Sequence, residues 1–187
     1  MKYVAFLRAI NVGGHVVKME VLRGHFESLG FSGVETFIAS GNVIFESRAK
    51  PESAQAMIEG HLQTSLGYEV ATFIRTIAEV DAVAQYRPFG AAATQSAGAF
   101  CVGFLHQPLD AEACSALMRM KTAIDDFHVH GREVYWLCVN RQSESTFSNA
   151  RFERMLKVRT TFRGVNTVAK LAAKYCILER KPIKEGV

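Results

Sequence analysis

Residues 7–19 read LRAINVGGHVVKM, and they collect the residue types that hold an anion. Arg8 and Lys18 bring positive charge, and Asn11 both donates and accepts hydrogen bonds. Gly13 and Gly14 permit positive φ and a close backbone approach to a ligand. The stretch leads from a strand-like run into an amphipathic helical pattern. Its N–H groups therefore run toward a helix N-terminus, where partial positive charge favours phosphate or carboxylate. Two further polar junctions contain glycine: Ser40-Gly41-Asn42, and Arg163-Gly164-Val165-Asn166 in the segment 158–172. Each has a plain structural reading too. Gly-Gly reverses the chain, Ser-Gly-Asn makes a hairpin turn, and Asn166 or Thr167 caps a helix.

Other chemistry is not supported by spacing. The first stretch is neither G-x-x-x-x-G-K-[ST] nor G-x-G-x-x-G. His15, His25, His61 and His106 are isolated, and His128 and His130 share one strand face without a third ligand. The serines show no nucleophile elbow, and Asp125 and Asp126 read as solvated turn residues. No catalytic residue, metal site or cofactor is expected.

The elements that would position these residues follow from periodicity. A strand (3–8), a helix (18–30), two strands joined at Ser40-Gly41 (34–39 and 42–47), a helix from Pro51 to about 66 and a strand (69–75) give the order β-α-β-β-α-β. That is the ferredoxin-like plan. The second half repeats it: strand 98–106, helix 110–121, a hairpin about Gly131, helix 147–157, strand 158–163, then an extra helix over 166–179. No sequence identity is seen between the halves. The expected fold is α+β, with two tandem ferredoxin-like domains of antiparallel sheet (1–76 and 98–187), a helical linker (77–97) and a C-terminal helix. In this topology the loop after the first strand and the turn between strands two and three lie at one end of the sheet, which places Asn11–Gly14 beside Ser40–Asn42. YVAFL, FCVGFL and VYWLCV are apolar on both faces, so each sheet needs a second cover. The partner domain's sheet is the simplest cover and a homodimer the alternative. A buried sheet face also argues against strand-face RNA binding, as does Ser40 in place of the basic residue that such a module carries.

The 187 residues carry a net charge of +4, unevenly spread. From Arg151 onward there are 10 Lys/Arg and 3 Asp/Glu, against 12 and 15 in the rest. The basic end, finishing in ERKPIKEGV, makes nucleic acid one alternative partner, and a non-catalytic interaction or dimerisation module is the other alternative function. The four cysteines form no C-x-x-C pair and suit a reducing cytoplasm, the expected location. No run approaches the length of a membrane span, and the apolar stretch Tyr3–Leu7 is too short for a signal-peptide core.

RAINVGGH near the N-terminus, SGNVIF after the first helix and TTFRGVNTVAKL near the C-terminus together resemble a bacterial family of unknown function whose members begin with R-G-I-N-V-G-G. The resemblance covers nearly the whole chain and implies two ferredoxin-like domains. It implies no activity or catalytic residue. Ala9 stands where that signature has Gly, and Phe162-Arg163-Gly164-Val165 replace the middle of a T-T-R-N-W-N-T motif, so its Trp is missing here. The expected ligand site therefore comprises Arg8, Asn11, Gly13, Gly14, Lys18, Ser40, Gly41, Asn42, Arg163 and Asn166, and takes an anionic small molecule such as a nucleotide or phosphorylated metabolite.

Overall fold

The computed structural model describes residues 1–11, 13–38 and 41–179. Ser40 and the end of the basic tail, 180–187, lie outside the described residues. The first unit is β1 (Lys2–Leu7), α1 (Met19–Ser28), β2 (Ser32–Thr36), β3 (Asn42–Glu46), α2 (Pro51–Leu66) and β4 (Thr72–Thr76). Two helices follow, α3 (Ile77–Gln85) and α4 (Ala91–Ser96). The second unit is β5 (Ala99–Phe104), α5 (Ala111–Met118), β6 (Asp125–His130), β7 (Glu133–Cys138), α6 (Asn149–Leu156) and β8 (Thr161–Gly164), trailed by α7 (Val165–Glu179). Both sheets are antiparallel, in the orders β2-β3-β1-β4 and β6-β7-β5-β8. This is the tandem ferredoxin-like architecture that the element order implied.

Strand alternation explains the apolar runs. In β1, Tyr3, Ala5 and Leu7 face α1 and α2, while Val4 and Phe6 face the other way. In the second unit Val134, Trp136 and Cys138 face α5 and α6, while Val102, Phe104 and Tyr135 face inward. The two inward faces meet in a shared central core, where Phe6 stacks on Phe104 at 4.0 Å between ring centroids. Helices α3 and α7 pack together alongside this core through Val80, Val83, Val168 and Leu171. Each sheet thus covers the other within one chain.

The pairing registers reveal a repeat that reaches individual residues. Val4 pairs with Arg75 as Val102 pairs with Arg163, and Phe6 pairs with Asn42 as Phe104 pairs with Glu133. On this alignment Val4, Phe6 and Leu7 correspond to Val102, Phe104 and Leu105. The halves do share identities, contrary to the sequence reading. They lie in short stretches and are set at offsets that change across each loop.

Several local expectations shift. The C-terminal helix starts at Val165, directly after β8, so Asn166 and Thr167 lie in its first turn and neither is its N-cap. Asp125 is not a solvated turn residue. It is buried at the start of β6, where its carboxylate accepts hydrogen bonds from Trp136 Nε1 at 2.8 Å and Ser145 Oγ at 2.7 Å. His25 and His61 are not isolated either, since α1 and α2 bring their ring nitrogens to 3.1 Å.

Candidate functional site

The end of β1 brings together three of the singled-out stretches. Leu7 N donates to Gly41 O at 2.8 Å, which fixes the β2–β3 turn beside the first loop. Gly41 has φ 74, and a Cβ there would lie 2.7 Å from Ile10 Cγ2, so both its conformation and its neighbours demand glycine. Asn42 is fully buried, and its side-chain amide donates to Phe37 O at 3.0 Å.

Arg163 arrives at the same place from β8. Its Nε donates to Asn42 Oδ1 at 2.7 Å and its Nη2 to Leu7 O at 2.7 Å, while Nη1 reaches Thr161 Oγ1 and Phe162 O. Burial pulls its pKa down to about 10, so the guanidinium is still charged at neutral pH. Arg8 crosses the other way. Its Nε donates to Glu153 Oε1 of α6 at 2.7 Å and its Nη2 to Oε2, a bidentate pair. Glu153 Oε1 also accepts from Thr160 N at 2.9 Å.

The remaining expected residues sit around this edge. Asn11 Oδ1 accepts from Val17 N at 2.6 Å and so closes the loop. Gly13 and Gly14 are exposed at φ 71 and 88, with nothing within 4 Å of either Cβ position. Lys18 is exposed and ends the loop as the residue before α1. Among the described residues no acceptor serves the N–H groups of Gly13, Gly14, His15 or Val16, and no side chain caps α1. Asn166 is exposed on α7 and makes no hydrogen bond with the others.

Sequence reasoning missed the other half of the arrangement. Arg75 on β4 repeats what Arg163 does: its Nη2 donates to Leu105 O at 2.8 Å and its Nε to Glu133 Oε1 at 2.8 Å. Burial lowers the Arg75 pKa, against the opposing pull of Glu133. The signal was present as Thr72-Phe73-Ile74-Arg75 against Thr160-Thr161-Phe162-Arg163, two strands with Thr and Arg three apart. Basic charge in the C-terminal segment is also partly used within the chain. Arg159 pairs with Glu69 at 3.0 Å and Lys174 with Glu35 at 2.7 Å.

Two ferredoxin-like units with facing sheets, locked by an arginine from each fourth strand, define a tandem α+β protein whose candidate site is a loop edge between the units. Residues 1–135 match the family described as "Protein of unknown function (DUF1697)", and the chain belongs to that family. It is also similar in fold to a solved conserved bacterial protein, SP0830 from Streptococcus pneumoniae. The two share 22% identity with a TM-score of 0.73, over 92% of this chain and 97% of the other. No curated protein matches the chain. Among the described residues no helix is long and apolar enough to cross a membrane, and no three His, Cys, Asp or Glu residues group as a metal site would require.

Proposed function

We propose that the protein binds an anionic small molecule, a nucleotide or a phosphorylated metabolite, at the Gly13–Gly14 edge. The observation that carries this reading is the run of N–H groups from Gly13 to Val16, on exposed residues and without acceptors among the described residues. They lead into α1, whose first N–H groups also lack a side-chain cap. Lys18 supplies charge at the exposed rim. Arg8 supplies it at the strand end, in a pair with Glu153 that an incoming anion competes for. Asn42 and Arg163 brace the platform beneath, since their hydrogen bonds join the two units there.

A thermal-shift titration with inorganic phosphate, nucleoside monophosphates and sugar phosphates tests this. A ligand at one hundred times its Kd stabilises by about 2.7 kcal/mol. The expected shift weakens in Lys18→Glu, whose side chain is exposed and leaves the core intact. No shift with any anion, or an equal shift in Lys18→Glu, overturns the reading. Binding to single-stranded RNA that falls steeply with salt, with no small-anion shift, would favour the nucleic-acid alternative.

A further inference from the structure

The near-symmetry of the two units makes the end of β5 a second copy of the end of β1, with one substitution that matters. Leu7 corresponds to Leu105, so Arg8 corresponds to His106. Glu153 follows Phe152, a buried residue of α6, and Glu59 follows Ile58, a buried residue of α2. Glu153 Oε1 accepts from Thr160 N at 2.9 Å, and Glu59 Oε1 accepts from Thr72 N at 2.8 Å. Thr72 and Thr160 occupy the same register position before Arg75 and Arg163. The two carboxylates are therefore held in the same way at matching places.

Only one of them holds a cation. Glu153 receives the Arg8 guanidinium in a bidentate pair. At the other end His106 is too short to do the same. Its ring stacks on Phe73 at 4.3 Å between centroids, and its Nε2 donates to Thr72 O at 3.1 Å. Glu59 then has Thr72 N and the Gln55 amide as partners, and no cationic group of the described residues lies within 4 Å of it. Beside it is a cleft of about 270 Å³ lined by Glu59, Gln63, Glu69, His106 and Arg159. The one cation in that lining, Arg159, is engaged by Glu69.

We propose that this cleft binds a small molecule carrying a guanidinium group, received by Glu59 as Glu153 receives Arg8. The seat adjoins the end of β1, since Arg8 N donates to Ala71 O at 2.8 Å and Ala71 lines the cleft, but it takes the opposite charge and does not rest on the anion reading. The structure itself displays the expected binding mode: a planar fork on a half-buried carboxylate whose other bond is to a backbone N–H.

Calorimetric titration with methylguanidinium and agmatine, at constant ionic strength set with sodium chloride, tests the proposal. Saturable binding is expected, at least tenfold weaker in Glu59→Gln, whose amide oxygen can still accept from Thr72 N. His106→Arg places an arginine where Arg8 stands in the mate, so it should abolish binding and raise Tm, and the rise should vanish on a Glu59→Gln background. Absence of saturable binding to the wild type overturns the proposal. So does affinity unchanged in Glu59→Gln, or a His106→Arg effect indifferent to residue 59. Methylammonium binding as well as methylguanidinium would overturn the choice of guanidinium, since a point charge would then suffice.

Discussion

Ala9 occupies the left-handed region at φ 57, immediately after β1. A Cβ in that region crowds the backbone by about 1–2 kcal/mol relative to glycine's freedom. This gives a physical reason for the glycine of the R-G-I-N-V-G-G signature at that place. Ala9→Gly should therefore stabilise the protein by about 1 kcal/mol, after glycine's extra unfolded-state entropy is set against the relief. Denaturant unfolding measures it, and an unchanged or lower midpoint would refute the strain. Gly103 carries the opposite constraint. A Cβ there would lie 2.6 Å from Phe162 Cζ, so β5 can approach the β8 ring only without a side chain. Gly103→Ala should cost about 1–3 kcal/mol. Much of that should return in Gly103→Ala/Phe162→Leu, where the ring edge is gone, and a double-mutant cycle reads the coupling directly.

At the scale of elements, the attachment of α7 to the first unit is a contact sensitive to acid. Lys174 Nζ at 2.7 Å and Tyr175 OH at 2.8 Å both donate to Glu35 Oε2 on β2. These bonds hold the Glu35 carboxyl below its ordinary 4.5. The unfolded chain then takes up the proton at a higher pH than the folded one. Stability from this contact is complete above the ordinary carboxylate range and is lost as pH falls through the lowered folded value. Hydrogen exchange of α7 amides should accelerate across that acid window in the wild type, and the window should disappear in Glu35→Gln. Elements of this kind were legible in the sequence because periodicity exposes them: the amphipathic spacing of α1, the Ser-Gly turn and the doubly apolar strands led to the right order and to facing sheets. What periodicity does not carry is how an individual polar side chain is satisfied. Asp125 looked like a turn residue because its partners, Trp136 and Ser145, lie 11 and 20 positions away. Glu59, Glu153, Arg75 and His106 carried no motif. Their pairing follows from a repeat whose offset changes at every loop, visible only once strand registers align the halves. The polar stretches at the end of β1 were readable because topology alone sends both to one edge of the sheet. That Arg163 joins them required the packing of one unit on the other.

The whole molecule is held by a core that belongs to neither unit alone. Val4, Phe6, Ile44 and Phe73 come from the first sheet, and Val102, Phe104 and Tyr135 from the second. Arg75 and Arg163 stitch that layer, Arg163 tying β8 to Leu7 O of β1 and Arg75 tying β4 to Leu105 O just after β5. A ferredoxin-like unit ordinarily leaves one sheet face to find its own cover. Here each unit is the other's cover, and separate unfolding would expose the stacked pair Phe6–Phe104 and everything around it. The chain should therefore unfold in a single transition despite its two-part plan. Trp136 lies in the outer core of the second unit and is a local fluorescent probe of it. Phe6→Ala, in the first unit, should cost about 3–5 kcal/mol. It should move the Trp136 transition and the far-ultraviolet dichroism transition by the same amount. Phe104→Ala should do likewise, and the two losses should fall short of additivity by about 0.5–1.5 kcal/mol, the worth of the stacked rings beyond their area. A Trp136 transition left in place while the dichroism splits into two steps would show that the units are independently stable. The shared layer would then be a contact between finished domains rather than the core that makes them one.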